Sequence, residues 1–409
     1  MRVGFFLGGN KPEIGGSFTL EDTLINALLK VESKHEFYFF YYGQEGCRES
    51  SAGTFVSLSH PVKRVRDVFR KEFFFRAIRV LKRVVSGSPN IPTGPTTLER
   101  ASREHRIEFM WFLTHRFESV NIPFATTVFD LAHRTHPFFP EVSLDNVWEG
   151  REARFRSTLS KAAYVITGTD AGKREIMQFY HVREERVKVL PFPVMDFTKY
   201  AGNAAPRDVA RKFKISLPYL FYPAQFWPHK NHVVLLQAVR LLKEKYSLDF
   251  ALVFTGSDKG NMQFVKESAA EMGLAGKVHF LGFVMLEDLI SLYQNAFAMT
   301  YVSFFGPDNL PPLEAFALGC PVIAGKSSGA EEQMGDAALL VDQSREDQIS
   351  EAVMKLCDAP ELRRILIERG RAKIAKWSTS DYMNGILSVI DEFASFRRCW
   401  SKKDIYVQP

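Results

Sequence analysis

The sequence lacks any run of about 18 apolar residues, the length that a membrane-spanning helix needs. Its N-terminal apolar stretch, Val3 to Leu7, is too short for the hydrophobic region of a signal peptide, and no small-residue cleavage site follows it. This stretch predicts instead a first buried strand that runs into a glycine turn.

Cysteine is also scarce, and its distribution excludes several kinds of site. Only four cysteines occur in 409 residues, and they form neither a CxxC pair nor a Cys/His spacing that could hold zinc. Scattered thiols of this kind are typical of a reducing cytoplasm. We therefore expect a cytoplasmic protein with no metal site.

A dinucleotide fingerprint is missing as well. Gly15 and Gly16 precede the first predicted helix, but the GxGxxG spacing is absent. This absence argues against a Rossmann-type oxidoreductase. The two glycines form either a plain tight turn or a loop that brings backbone amides close to a ligand.

Basic residues are concentrated in one segment rather than spread along the chain. Residues 62–86 carry nine cations and two acids, a net charge of +7, so the rest of the chain sums to −1 within the total of +6. Apolar residues recur in this segment every three or four positions, which predicts a helix with one apolar and one basic face. Such a helix either lies on an anionic membrane or packs on the core with a solvated basic face. No nucleic-acid motif accompanies it, so nucleic acid is not an expected partner.

Short apolar segments alternate with helical patterns over most of the chain. Strands are predicted at 3–7, 36–42, 109–112, 124–129, 163–167, 219–222, 250–255, 278–280, 298–301 and 321–324. Helices are predicted at 17–30, with Ser17 as N-cap, and at 232–243, 261–272, 286–295 and 312–318. This alternation indicates parallel βαβ units, and 409 residues exceed what one core holds. The sequence therefore predicts two doubly wound α/β domains, joined by a proline-containing linker over 199–206.

Two loops of the second half follow predicted strands, where open parallel sheets bind their ligands. The first contains Lys230, just before a helix, where a phosphate is favoured by both the ammonium charge and the helix dipole. The second contains a turn at Gly306 and Pro307 and then Glu314, which we place in the first turn of the next helix, able to accept hydrogen bonds from a ribose. Taken singly, Lys230 is as well explained by solvation, and Glu314 by stabilisation of its helix.

Together the two loops resemble glycosyltransferase family 4, the group 1 glycosyltransferases of GT-B fold, in a polysaccharide-assembly version. The resemblance is carried by Lys230 and by the run from Ser303 through Gly-Pro-Asp-Asn-Leu-Pro-Pro-Leu-Glu-Ala-Phe-Ala-Leu-Gly-Cys-Pro-Val-Ile. It is close over about 215–345 and loose over the first half of the chain.

The resemblance implies a donor-binding site for a nucleoside-diphosphate sugar. It places Lys230 on the diphosphate and Glu314 on the ribose, while Asn309 and Leu310 offer backbone amides to the sugar or phosphate. The remaining donor-binding residues that it implies are Gly16, Gln225, Gly256, Phe283 and Ser303.

Two positions depart from the family pattern. Gly306 replaces the usual glutamate eight residues before Glu314, and Gln225 replaces the usual arginine five residues before Lys230. Asp308 is a candidate to replace the lost carboxylate. The family expectation is retention of configuration at the anomeric carbon. Because Gly306 lacks the carboxylate that normally contacts the donor sugar, the sequence leaves retention and inversion open.

A further candidate pair lies in the first half, after the strand predicted at 124–129. Asp130 or His133 is placed to orient or deprotonate the acceptor hydroxyl. The family often has a His-Asp pair here, and Phe129 takes the position of the histidine. Ordinary capping of the loop is the alternative.

The expected architecture is therefore GT-B, two Rossmann-like domains that face each other across a cleft. The boundaries are 1–197 for the acceptor side, 198–380 for the nucleotide-sugar side, and 381–409 for a C-terminal helix and tail that cross back. The expected activity transfers a sugar from a nucleoside-diphosphate sugar to a glycan or lipid-linked glycan, without metal or cofactor, at the inner face of the cytoplasmic membrane if 62–86 binds lipid. A non-catalytic sugar-nucleotide or glycan-binding protein of the same fold is the alternative.

Overall fold

A computed structural model describes residues 1–8, 16–42, 53–58, 95–114, 116–197 and 208–400, with residues 16–18 described by their backbone. The basic segment 62–86, the linker predicted at 199–206 and Gly15 lie outside the described residues. Among the residues described, no helix is long and apolar enough to cross a bilayer.

The first sheet has seven parallel strands in the order β3-β2-β1-β4-β5-β6-β7. The strands are β1 Arg2–Phe6, β2 Glu36–Tyr42, β3 Thr54–Leu58, β4 Phe109–Phe112, β5 Phe124–Thr127, β6 Tyr164–Thr167 and β7 Val187–Val189. Its helices are α1 Gly16–Leu28, α2 Thr97–Glu104, α3 Ala132–Thr135, α4 Pro140–Ser143, α5 Val147–Leu159 and α6 Asp170–Tyr180. The central strands are fully buried because helices cover both faces, which explains their continuous apolar sequence.

The second sheet has six parallel strands in the order β10-β9-β8-β11-β12-β13. The strands are β8 Tyr219–Pro223, β9 Ala251–Thr255, β10 Val278–Phe280, β11 Ala298–Tyr301, β12 Val322–Gly325 and β13 Ala338–Val341. Its helices are α7 Val209–Phe213, α8 His232–Tyr246, α9 Met262–Glu271, α10 Leu286–Asn295, α11 Leu310–Leu318, α12 Ala330–Met334, α13 Glu346–Asp358 and α14 Pro360–Ile374. The two-domain α/β class that the sequence predicts is confirmed.

The last helix, α15 Thr379–Arg397, returns to the first sheet. It begins with a capping box in which Ser378 and Asp381 satisfy each other's backbone amides. Its apolar side chains share a core cluster with β1 and β4, and the rings of Phe109 and Phe393 lie 4.6 Å apart. This packing ties the end of the described chain to its beginning.

Some local predictions were wrong. Helix α1 begins at Gly16, so Ser17 lies inside the helix and is not its N-cap. Strand β5 ends at Thr127 rather than at residue 129, and β3, β7 and β13 were not predicted. All three are edge strands, and much of their surface is only half-buried, which weakens the apolar signal in the sequence.

In each sheet the order of the strands reverses direction beside the first strand of the domain. In the second sheet this switch point lies between β8 and β11. The loops that follow these two strands contain Lys230, on one side, and Asp308 with Asn309, on the other. Crevices at such switch points bind ligands in open α/β sheets, so the topology itself selects these loops.

Candidate active site

A cavity of about 540 Å³ lies between the two halves of the chain. It is lined from the first half by Leu20, Phe129, Asp130, Glu141, Val142, Arg151, Arg154, Phe155 and Phe192. From the second half it is lined by Pro223, Ala224, Gln225, Trp227, His229, Lys230, Tyr301, Phe305, Gly306, Asp308, Asn309, Leu310 and Pro311. The structure thus brings together six of the predicted residues, namely Asp130, Gln225, Lys230, Asp308, Asn309 and Leu310.

Lys230 ends a short 3-10 turn, Pro228–Lys230, that precedes α8. Its ammonium donates hydrogen bonds to the Tyr301 hydroxyl at 2.7 Å and to Ser303 Oγ at 3.4 Å. No carboxylate of the described residues forms an ion pair with it, so its charge is held by neutral hydroxyls. A cation held in this way, at a switch point and inside a cavity, is suited to bind an anionic ligand.

The backbone conformation explains why position 306 holds a glycine, where the family that the sequence resembles usually has a glutamate. The φ of Gly306 is +123°, and a β-carbon at this position would lie 2.6 Å from the Asn309 Oδ1 atom. The Asn309 side chain donates to the Gly306 carbonyl at 2.7 Å and accepts from the Tyr301 hydroxyl at 2.8 Å. Gly306 and Asn309 therefore form one compact turn that has no space for a side chain at position 306.

The amide of Asn309 is not available to a ligand in this structure, contrary to the sequence prediction. It donates to Gln333 Oε1 at 3.0 Å, and Asn309 is buried directly before α11. Leu310, the first residue of α11, lines the cavity. Asn309 and Leu310 were both predicted to offer a backbone amide to the ligand. Of these two positions, Leu310 is the one that remains a candidate.

Asp308 lies at the boundary between the two halves. One oxygen accepts a hydrogen bond from Gln333 Nε2 at 2.8 Å, whereas the buried Oδ2 has no hydrogen-bond partner among the described residues. This oxygen packs so closely against Gly168 that a β-carbon there would overlap it. Burial raises the pKa of Asp308 to about 7, so a large fraction of this carboxyl is neutral near neutral pH.

Glu314 lies beyond the first turn of α11, because the helix begins at Leu310 and not at 312 as predicted. Its carboxylate accepts a hydrogen bond from the Tyr293 hydroxyl at 2.8 Å, and burial raises its pKa. Glu314 is not among the residues that line the cavity. Tyr293 orients one of its oxygens.

The other predicted donor residues are spread around the cavity. The Gln225 amide bonds to Ser257 Oγ at 2.9 Å and accepts from Trp227 at 3.1 Å, while Ser303 Oγ donates to the Phe305 carbonyl at 2.8 Å. Gln225 and Ser303 therefore shape the loops. Gly256 has φ +130° and a close contact with Ala224, which requires glycine there.

The last two donor-binding candidates are Phe283 and Gly16, and neither is among the cavity-lining residues that the structure describes. Phe283 is 59% exposed and does not contribute to that lining. Gly16 is the first residue of α1, whose Leu20 reaches the cavity.

Asp130 follows β5 and contributes to the first-half wall of the cavity. Its Oδ1 accepts from Arg151 and, at 2.9 Å, from the amide of Ala132. Burial alone raises the pKa of Asp130, but the charge of Arg151 and these hydrogen bonds outweigh burial and hold it below its usual range. An ionised, paired carboxylate of this kind orients a hydroxyl better than it removes a proton.

The structure does not bring His133 into the cavity. The ring is fully buried and bonds to the Tyr180 hydroxyl at 2.9 Å, with Glu152 at 3.4 Å and Arg151 at 3.3 Å. Burial, followed by the charge of Arg151, lowers its pKa to about 4. The expected contact of His133 with the acceptor stays a prediction that this geometry does not support, and the ring instead contacts Arg151 and Glu152.

Four lining residues with acidic, basic or imidazole side chains were missed from the sequence, namely Glu141, Arg151, Arg154 and His229. His229 directly precedes Lys230 and could have been found by its place in the loop. Nothing local marks the other three. Glu141 meets His229 across 88 positions of sequence, and the two arginines reach the cavity only because α5 packs beside it.

Residues 209–373 match the family model described as glycosyl transferases group 1. The chain is 28% identical over 274 residues to the O-antigen chain mannosyltransferase B of Escherichia coli. This alignment covers 66% of this chain and 69% of that protein. It is 26% identical over 241 residues to the D-inositol 3-phosphate glycosyltransferase of Corynebacterium urealyticum, and that alignment covers 56% of this chain and 57% of the relative.

Solved structures resemble the whole chain. The Anabaena protein Alr3699/HepE in complex with UDP and glucose superposes with a TM-score of 0.68 at 14% identity, over 96% of this chain and 100% of that one. WaaG, a glycosyltransferase involved in lipopolysaccharide biosynthesis, superposes with a TM-score of 0.67 at 17% identity, over 95% and 99%. The chain therefore has the GT-B fold, and its residues 209–373 resemble the group 1 glycosyltransferases.

Proposed function

We propose that this protein transfers a sugar from a nucleoside-diphosphate sugar to a hydroxyl group of a glycan or lipid-linked glycan in polysaccharide assembly. The observation that carries this proposal is Lys230, a cation without a carboxylate partner among the described residues, at the switch point of the second sheet and inside the cavity between the two halves. The named relatives, an O-antigen mannosyltransferase and an inositol phosphate glycosyltransferase, support the same class of reaction. They do not favour the alternative of a non-catalytic binding protein.

In this reaction the bond between the anomeric carbon and the diphosphate breaks, a bond from that carbon to the acceptor oxygen forms, and the proton of the acceptor hydroxyl passes to the leaving diphosphate. Lys230 stabilises the charge that develops on the leaving diphosphate, since it is held by Tyr301 and Ser303 before the substrate arrives. Glu314, oriented by Tyr293, holds the ribose with its second oxygen. Asp130 orients the acceptor hydroxyl from the opposite wall of the cavity.

Several finer features belong to the same proposal. We expect membership of glycosyltransferase family 4, retention of configuration and no requirement for a metal ion, because Lys230 and backbone amides carry the phosphate charge. Asp308 contacts the donor sugar once the packing of its carboxyl against Gly168 opens. The protein acts in the cytoplasm, at the inner face of the membrane if residues 62–86 bind anionic lipid.

The test is hydrolysis and transfer with a panel of nucleotide sugars, carried out in the presence of EDTA. We expect one donor to be turned over, and Lys230→Ala to lower kcat about 100-fold or more, the usual effect of removing a group that stabilises transition-state charge. Glu314→Ala should mainly raise KM for the donor. The matched control is Lys245→Ala, which removes an exposed lysine from the end of α8.

The outcome that contradicts the assignment is unchanged transfer in both Lys230→Ala and Glu314→Ala. Absence of turnover with every donor, accompanied by tight nucleotide-sugar binding, would instead support the non-catalytic alternative. Loss of activity on adding EDTA would contradict metal independence alone.

A further inference from the structure

A second cation without a carboxylate partner among the described residues lines the cavity from the half of the chain opposite Lys230. Helix α5 presents Arg151 and Arg154, three residues apart, on the face that lines the cavity. Arg151 is bound to Asp130 and contacts His133. Arg154 donates no side-chain hydrogen bond to any residue in the described ranges, and its buried Nε has no partner.

The surroundings of Arg154 hold the guanidinium in place without neutralising it. Its carbon lies 5.0 Å from the centre of the Phe155 ring, a contact that orients the plane of the side chain. Among the described residues of the first half, the acids that line the cavity are Asp130 and Glu141, and these are bound to Arg151 and His229. Burial and the charge of Arg151 lower the pKa of Arg154 and outweigh the opposing charges of Asp130 and Tyr180.

A half-buried arginine without an acid is suited to a ligand that brings the missing charge. Its planar fork matches the oxygens of a phosphate group. Lys230, which serves the donor diphosphate, belongs to the second half of the chain, whereas Arg154 belongs to the first half together with Asp130. The two cations therefore belong to different walls of the cavity.

We propose that Arg154 binds a phosphate group of the acceptor, so that the acceptor substrate of this enzyme is a phosphorylated sugar or a phosphate-linked glycan. This inference rests on the proposed function, because it names the substrate class of the acceptor side of the same site. The same oxyanion chemistry could come from the donor diphosphate if it reached across the cavity, and the experiment separates the two sources.

Inorganic phosphate is titrated by calorimetry into the full chain after saturation with the nucleoside diphosphate that binds most tightly. We expect phosphate to bind at one site and Arg154→Gln to weaken it at least about tenfold, as for the loss of a charge-assisted hydrogen bond. The affinity for the nucleoside diphosphate should change less than about threefold over the same comparison. Arg154→Lys, which keeps the charge, should retain part of the phosphate affinity.

The matched control is Arg156→Gln, which removes the same charge from the same helix. Its side chain is 68% exposed and does not line the cavity. Equal weakening of phosphate binding by Arg154→Gln and Arg156→Gln would overturn the proposal, because it would indicate a general charge effect. Thermal unfolding without ligand shows whether each variant is folded.

Other results distinguish this inference from the proposed function. Tight binding of a nucleoside diphosphate without any phosphate binding overturns the inference and leaves the proposed function intact. A loss of nucleoside-diphosphate affinity in Arg154→Gln as large as the loss of phosphate affinity assigns Arg154 to the donor and also overturns it. No binding of any nucleotide or nucleotide sugar to the wild-type chain contradicts the proposed function itself.

Discussion

Glu141 of the first half of the chain holds His229 of the second half by two hydrogen bonds to the same carboxylate oxygen. One comes from the backbone amide of His229, at 3.0 Å, and the other from its ring nitrogen Nδ1. The side chains are 6% and 9% exposed, and the imidazole stacks on Phe305 with ring centres 3.9 Å apart. Because His229 directly precedes Lys230, this contact joins the two walls of the cavity beside the proposed diphosphate-binding residue.

The contact consists of an ionised carboxylate and a neutral imidazole. Burial and the charge of Lys230 lower the pKa of His229 to about 4. Burial raises the pKa of Glu141, but the hydrogen bonds from His229 outweigh burial and leave it below its usual range. At neutral pH the imidazole Nδ1–H therefore donates to the Glu141 carboxylate. The uncharged ring does not compete with Lys230 for a phosphate.

We predict that Glu141→Ala weakens nucleoside-diphosphate binding about three- to tenfold and destabilises the protein by about 1–3 kcal/mol, since a buried amide and imidazole are left without an acceptor. Calorimetric titration and urea unfolding measure the two effects. Glu149→Ala, which removes an exposed glutamate from α5, is the control and should change neither. Wild-type nucleotide affinity in Glu141→Ala would show that the contact does not position the Lys230 loop.

The raised pKa of Asp308 predicts an unusual pH dependence of stability. The carboxyl titrates near 7 in the folded chain and near its usual value of 3.8 in the unfolded chain, so the folded state binds more protons between these values. Asp308 therefore destabilises the protein progressively as pH rises from about 4 to about 7.

Asp308→Asn should remove this penalty while its amide oxygen still accepts from Gln333. We expect the free energy of unfolding of the variant to increase relative to that of the wild type as pH rises, by about 2–4 kcal/mol between pH 4 and 7. Urea unfolding at a series of pH values gives the difference directly. A difference that stays constant with pH would mean that Asp308 is ionised throughout.

Gly306 gives a prediction that bears on the family pattern. Any side chain at this position meets the Asn309 amide and must adopt a φ of +123°. We therefore expect Gly306→Ala to lower the free energy of unfolding by about 1–3 kcal/mol. Gly306→Glu, which restores the family's carboxylate in sequence, should lower it further and should not raise activity.

Gly150 provides the comparison for this substitution, since a β-carbon there meets no atom within 4 Å and the residue lies in α5. Gly150→Ala should be neutral or slightly stabilising. Equal stability of Gly306→Ala and the wild type would show that the turn can rearrange. The turn could then also accept the glutamate that the family usually has at position 306.

Much of the fold follows from local patterns in the sequence. Strands β2, β4, β10 and β11 and helix α10 have the predicted bounds, because short buried apolar runs and an amphipathic helix carry strong signals of their own. The loops that contain Lys230, Asp308 and Asn309 were predicted because they follow strands of a parallel sheet, whose carboxyl ends share one edge, whereas the choice of residues within them rests on the family resemblance. The topology of the sheet thus predicts that loops far apart in sequence lie together at one site.

Only the tertiary structure decided which side chains face the cavity and which are bound elsewhere. His133 and Asp130 are three residues apart, yet packing of α5 and α6 buries the first and leaves the second in the cavity wall. The pairing of Glu141 with His229, and the absence of an ion pair at Arg154 among the described residues, depend on how two domains and a helix pack. Such contacts join residues far apart in sequence, so no local pattern of residues encodes them, and the free energy of packing selects them.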